Sequence, residues 1–156
     1  FGALKIILEH IDFALPQGKY AVTGYGRVAR ETARLLTSLS CDVTVFARKE
    51  QDFADAFSKS INCRYISELS ITNNDFDALI NTVPTKILGS EQLDRLNPDC
   101  VLIEIASAPF GIDFQSAKER AFKVVKASSL PGKVAPQSAA EIIGRSILPM
   151  IRRQNL

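Results

Sequence analysis

The chain is poor in the residue types that build metal centres and disulfide scaffolds. Its 156 residues include three cysteines, one histidine, one methionine and no tryptophan. Cys41, Cys63 and Cys100 lie far apart without a Cys-x-x-Cys spacing, and His10 is the only imidazole that could join them. The common zinc patterns are therefore excluded, and no metal is expected. An odd number of cysteines in apolar, strand-like settings reads as reduced core or edge thiols of a cytosolic protein. No apolar run reaches about 18 residues, so no transmembrane helix is expected. The first residues lack the basic-then-apolar layout of a secretory signal. Nineteen basic side chains face 17 acidic ones, a net charge of +2, too small by itself to point to a nucleic-acid-binding or membrane-binding surface. The chain begins at Phe1 rather than Met, which points to a piece of a longer protein or a processed one.

What is present fits one globular domain with a full core: 46% hydrophobic and 23% charged residues. Tyr20-Ala21-Val22-Thr23 is an apolar run that leads directly into Gly24-Tyr25-Gly26-Arg27-Val28-Ala29. Gly-x-Gly-x-x-Ala between a strand and a helix is the dinucleotide-binding fingerprint. The first glycine permits a tight turn, and the second lets the backbone approach a pyrophosphate. Ala29 allows close packing of helix on strand. Free N–H groups at the helix N-terminus favour an anion there.

Apolar periodicity places a short helix over 3–10, with Leu4, Ile7 and Leu8 apolar, and a connection over 11–18. Strands are expected over 19–23, 43–46, 63–66, 78–81, 100–105 and 122–127. Helices are expected over 27–39, 51–59, 90–96, from a cap at Asp113 to about 121, and over 135–152. In the 27–39 helix, Val28, Ala29, Leu35, Leu36 and Leu39 fall on one side. Alternating strands and helices predict an α/β fold: a doubly wound, Rossmann-type parallel sheet of six strands in the order 3-2-1-4-5-6, with helices on both faces. Residues 1–18 read as a trailing helix and linker, and 19–156 as the dinucleotide-binding domain. A ligand belongs outside the carboxyl ends of the strands, between the first and fourth.

The tip of the second strand carries Ala47, Arg48 and Lys49 where an NAD site tends to carry an acid. Two cations there suit a 2′-phosphate, so NADP is favoured over NAD. Thr82, Val83 and Pro84 follow the fourth strand, and polar groups at that strand end, Asn81 included, can bond a ribose. Ala106 and Ser107 follow the fifth strand and are small enough to admit a flat ring. Glu104 is a carboxylate in an apolar strand, so it either serves function or pairs with a lysine at the rim. Leu130, Pro131, Gly132 and Lys133 form a proline-bounded loop after the sixth strand, where Lys133 can meet an acidic substrate or a phosphate. His10 reads as a core or surface residue. No catalytic acid or base is identified. Ser107, Ser128 and Ser129 have no base nearby, so nucleophilic catalysis has little support.

Four segments together carry a family resemblance: GALKIILEHIDFALPQGKYAVTGYGRVARETARLL, DALINTVPTKIL, LIEIASAPFGIDF and LPGKVAPQSAAEII. The chain resembles the C-terminal part of dipicolinate synthase A subunits over residues 2–147, and LPGKVAP is the most diagnostic string. The resemblance implies an oxidoreductase that takes a dihydrodipicolinate-type dicarboxylate of the lysine pathway to dipicolinate during sporulation. It implies a location in the mother-cell cytoplasm, a nicotinamide cofactor bound here, and a flavoprotein-like B subunit for a partner. It is also compatible with a homo-oligomer. Family members are nearly twice as long, with a further N-terminal α/β domain, so this piece alone is expected to be inactive. The chain departs from the family at Gln137-Ser138-Ala139-Ala140, where Lys-Thr-Ala-Gly is familiar. It also carries Glu104 in place of Asp, and Phe110-Gly111 in place of Gly-Gly. Two other readings share the fingerprint. One is a D-2-hydroxy-acid-type dehydrogenase, although no histidine follows the glycines to serve it. The other is a non-catalytic nucleotide-sensing module.

Overall fold

Tyr20, Ala21, Val22 and Thr23 are all fully buried. A strand needs cover on both faces for that, and a parallel sheet between helices supplies it. The computed structural model describes residues 2–12 and 14–127. Its strands are β1 (Lys19–Thr23), β2 (Asp42–Ala47), β3 (Asn62–Tyr65), β4 (Ala78–Asn81), β5 (Val101–Glu104) and β6 (Val124–Lys126). They form one sheet in the order β3-β2-β1-β4-β5-β6, every neighbouring pair parallel. This is the doubly wound Rossmann-type order, in which the direction of strand addition reverses between β1 and β4.

Side chains alternate across the sheet and feed two cores. Tyr20, Val22, Val45, Ile80 and Ile103 face one layer. There they meet Ile7 of helix α1 (Gly2–Leu8), Ala29, Ala33 and Leu36 of α2 (Arg27–Ser38) and Ala56 of α3 (Glu50–Ser58). Ala21, Phe46, Leu79 and Leu102 face the other, against Leu93 of α4 (Ser90–Leu93) and Ala117 of α5 (Phe114–Glu119). A one-residue slip would exchange the two sets, so packing fixes the register.

Several local expectations differ from the structure. In α1 the buried seam is Ala3, Ile6 and Ile7, while Leu8 is exposed. In α2 it is Ala29, Ala33 and Leu36, spaced by four and three, and Val28 and Leu39 fall outside it. The sixth strand begins at Val124 rather than 122. Ala121 adopts φ +60°, and the Phe122 N–H turns back to the Ala117 carbonyl at 3.0 Å, closing the end of α5. A 3-10 turn, Ile66–Ser70, takes the place of a helix between β3 and β4. The helix expected over 135–152 lies outside the described residues. Within those residues, no helix is long and apolar enough to cross a membrane.

Candidate nucleotide-binding site

The switch between β1 and β4 opens into a cleft of about 390 Å³. That is within the range of small-ligand sites, at roughly 300–1,000 Å³. One wall is the glycine turn. Gly24 has φ +86°, and its N–H donates to the Phe46 carbonyl at 2.8 Å. A Cβ there would lie 2.8 Å from both Thr82 Oγ1 and Val83 Cγ2. Both the backbone angle and the neighbours therefore require glycine. Gly26 differs, because its φ of −71° and ψ of −176° suit any residue and a Cβ would meet nothing within 4 Å. It leads into α2, whose N-terminus no side chain caps. Open space before uncapped N–H groups is what an anionic pyrophosphate needs, so the residues present fit a dinucleotide.

The second wall lies at the end of β2. Ala47, Arg48 and Lys49 line the cleft, and the two cations are exposed. Arg30, Phe46, Asp52 and Ile66 line it as well. Arg30 stands over the Tyr25 ring at 5.6 Å from its centroid. The Tyr25 ring turns into the core, and its hydroxyl donates to Asp55 Oδ2 at 2.9 Å. Burial, reinforced by Asp55, pushes the Tyr25 phenol well above its usual range. Lys59 and then Tyr25 hold Asp55 below the ordinary carboxylate range.

Thr82, Val83 and Pro84 form the third wall. Beneath it runs a row of polar side chains set side by side by strand register: Thr23 on β1, Asn81 on β4 and Glu104 on β5. All three are fully buried. Thr23 Oγ1 donates to Asn81 Oδ1 at 2.6 Å, and Asn81 Nδ2 donates to Glu104 Oε1 at 2.7 Å. Asn81 also binds Val83 through both backbone groups, accepting its N–H at 3.1 Å and donating to its carbonyl at 3.0 Å. Glu104 accepts three more bonds, from the N–H groups of Ala106 at 3.0 Å and of Gly111 and Ile112 at 2.9 Å. The carboxylate is thus satisfied inside the protein, rather than paired with a lysine at the rim. Asn81 is likewise spent within the protein rather than presented to a ribose.

Among the anticipated site residues, Gly24, Tyr25, Gly26, Ala47, Arg48, Lys49, Thr82, Val83 and Pro84 meet at this cleft. Arg27 and Val28 are exposed on the first turn of α2 but do not line it. Ala106 is buried and Ser107 is exposed, and neither lines it. Leu130, Pro131, Gly132 and Lys133 lie outside the described residues. Sequence reasoning missed Arg30, Phe46, Asp52 and Ile66. Arg30 and Asp52 are the fourth residue of α2 and the third of α3, helices whose starts were expected, so helical spacing held the signal for them. Ile66 carried none.

No protein-family profile matches the chain. The dipicolinate synthase A subunit of Bacillus subtilis is 30% identical over 150 residues, covering 96% of this chain and 50% of that protein. The crystal structure of the B. subtilis protein superposes with a TM-score of 0.92, covering 97% of this chain and 51% of that one. The counterpart from Bacillus halodurans gives the same score at 30% identity, covering 96% and 51%. More distantly, shikimate 5-dehydrogenase from Thermus thermophilus, solved with NADP(H) and shikimate, shares the fold at 20% identity. Its TM-score is 0.61, over 80% of this chain and 48% of that one. The chain spans about half the length of the relatives it matches, and over that half it is similar in sequence and fold to the dipicolinate synthase A subunits.

Proposed function

We propose that this chain is the cofactor-binding domain of an NAD(P)-dependent dehydrogenase that forms dipicolinate from a dihydrodipicolinate-type precursor. The observation that carries this reading is the cleft itself. Bare Gly26 and the uncapped α2 N-terminus face it, and it lies at the β1–β4 switch point of a chain similar to dipicolinate synthase A subunits. A bound nicotinamide supplies a hydride acceptor for the dihydropyridine ring. Aromatisation of the product provides the driving force, so the protein's task is alignment of the two rings.

Gly24, Gly26 and the backbone of Tyr25, Arg27 and Val28 hold the pyrophosphate. Ala47, Arg48 and Lys49 hold the adenosine end. Three cations line the cleft (Arg30, Arg48 and Lys49) against one carboxylate, Asp52. That excess favours the 2′-phosphate of NADP over the neutral hydroxyl of NAD. Thr82, Val83 and Pro84 line the ribose and ring, with Ala106 and Ser107 flanking, and Leu130, Pro131 and Gly132 are assigned to the same cofactor. Lys133 meets a substrate carboxylate. The remaining acid–base groups come from the other half of the full-length protein, and the B subunit is the partner. A cytoplasmic site of action, in the mother cell of a sporulating bacterium, follows from the same reading.

Titration of the chain with NADP+ and NAD+ tests it. Arg48→Ala is expected to weaken NADP+ by about tenfold and NAD+ by less than about twofold, as for loss of a charged hydrogen bond. Equal losses refute the phosphate assignment. Gly26→Asp is expected to abolish binding of both while the fold persists, and unchanged affinity refutes the pyrophosphate site.

A further inference from the structure

We infer that Thr23, Asn81 and Glu104 form a positioning row that sets the nicotinamide-side wall of the cleft from below, without touching the cofactor. The inference rests on the nucleotide reading above and adds a role for residues that line nothing. Segments after three strands converge on this row. Gly24 follows Thr23 directly, and the Thr82 hydroxyl donates to the Thr23 carbonyl at 2.7 Å. Asn81 grips Val83 through both of its backbone groups. Glu104 gathers three N–H groups of segment 105–112. A shift anywhere along the row therefore moves Thr82 and Val83 relative to the glycine turn.

The row has a direction. The Asn81 oxygen accepts from Thr23 and Val83, and its nitrogen donates to Val83 and Glu104. Rotating the amide by half a turn would set oxygen against the Glu104 carboxylate and the Val83 carbonyl, so one orientation alone is satisfied. Glu104 accepts four N–H bonds and donates none, as an acceptor-only carboxylate does. A second, independent feature marks the same junction. A Cβ on Gly111 would collide with Asn81 Nδ2 and would lie 2.5 Å from the Val83 carbonyl oxygen. Segment 105–112 thus presses directly on the amide that holds the wall.

A half-cofactor distinguishes positioning from general support of the fold. The adenosine half meets the β2 end of the cleft, and the nicotinamide half meets the wall that the row controls. Glu104→Gln replaces one acceptor oxygen by an NH2 group facing N–H donors and keeps the side-chain shape. The full 156-residue chain is titrated with NADP+ and with 2′,5′-ADP, which lacks the nicotinamide half. Glu104→Gln is expected to weaken NADP+ by about tenfold or more and 2′,5′-ADP by less than about twofold. Thr23→Val, which exchanges one hydroxyl for a methyl of similar size, should give the same pattern more weakly and stands in if Glu104→Gln fails to fold. Unchanged NADP+ affinity, or equal loss of both ligands in the variant that folds, overturns the proposal. If the wild-type chain binds 2′,5′-ADP and NADP+ but the variants leave their ratio unmoved, only the positioning role fails. If it binds neither, the nucleotide reading falls and the role falls with it.

Discussion

The two glycines of the fingerprint should respond in opposite ways to the same substitution. In Gly24→Ala a Cβ is forced onto φ +86°, which costs about 1–2 kcal/mol for an L-residue. That Cβ also lies 2.8 Å from Thr82 Oγ1 and Val83 Cγ2, neither of which is the far end of a long side chain. Overpacking of this kind adds about 1–3 kcal/mol. The sum is about 2–5 kcal/mol. At about 2–4 °C per kcal/mol for a chain of this size, Tm should fall by roughly 4–20 °C. Gly26→Ala has no such cost, because its backbone is extended and its Cβ meets nothing. Loss of glycine at a helix cap costs up to about 1 kcal/mol, and the less flexible unfolded chain returns about 0.4–1 kcal/mol. Its Tm should stay within about 3 °C of wild type. Binding should show the reverse contrast, because the new methyl of Gly26→Ala occupies the approach to the phosphates and should weaken NADP+ by about tenfold or more. Thermal unfolding by circular dichroism and calorimetric titration read the two effects separately. A Gly26→Ala chain that binds as wild type refutes the placement of the pyrophosphate. A Gly24→Ala chain that melts as wild type refutes the steric account of the turn.

Two further outcomes follow from the ionisable groups. Lys86, followed by the Ser116 backbone, holds the Asp113 carboxyl at about 2. The folded value lies below the unfolded one of about 3.9, so this contribution is fully present above about pH 4 and is lost as pH falls towards 2. Denaturant titrations at pH 5 and pH 2.5 should show a smaller loss of stability for Asp113→Asn than for wild type, and identical losses would contradict the pairing. Burial raises all three thiols, Cys63 to about 11 and Cys100 to about 12. A disulfide probe at pH 8 should therefore react with them slowly in the folded chain and fully after unfolding, and a fast stoichiometric phase with native protein would count against it.

The sheet order was legible because its causes are local. Apolar runs such as Leu79-Ile80 and Val101-Leu102-Ile103 mark strands covered on both faces, and the chain between them is too long for hairpins. The glycine turn was legible because backbone angle and close approach act on residue type directly. Helix faces were less so. Val28 and Leu39 are apolar yet exposed, since the sheet contacts only the face that carries Ala29, Ala33 and Leu36. Arg30 and Asp52 became cleft residues only when two separate helix starts met above β1 and β2.

By itself, then, the sequence determined the fold class and the position of the glycine turn, because periodicity and backbone preference reside in neighbouring residues. Tertiary structure alone decided that Thr23, Asn81 and Glu104 would be one buried row. These residues lie 58 and 23 positions apart, and only the parallel register of three strands brings their side chains within hydrogen-bonding distance.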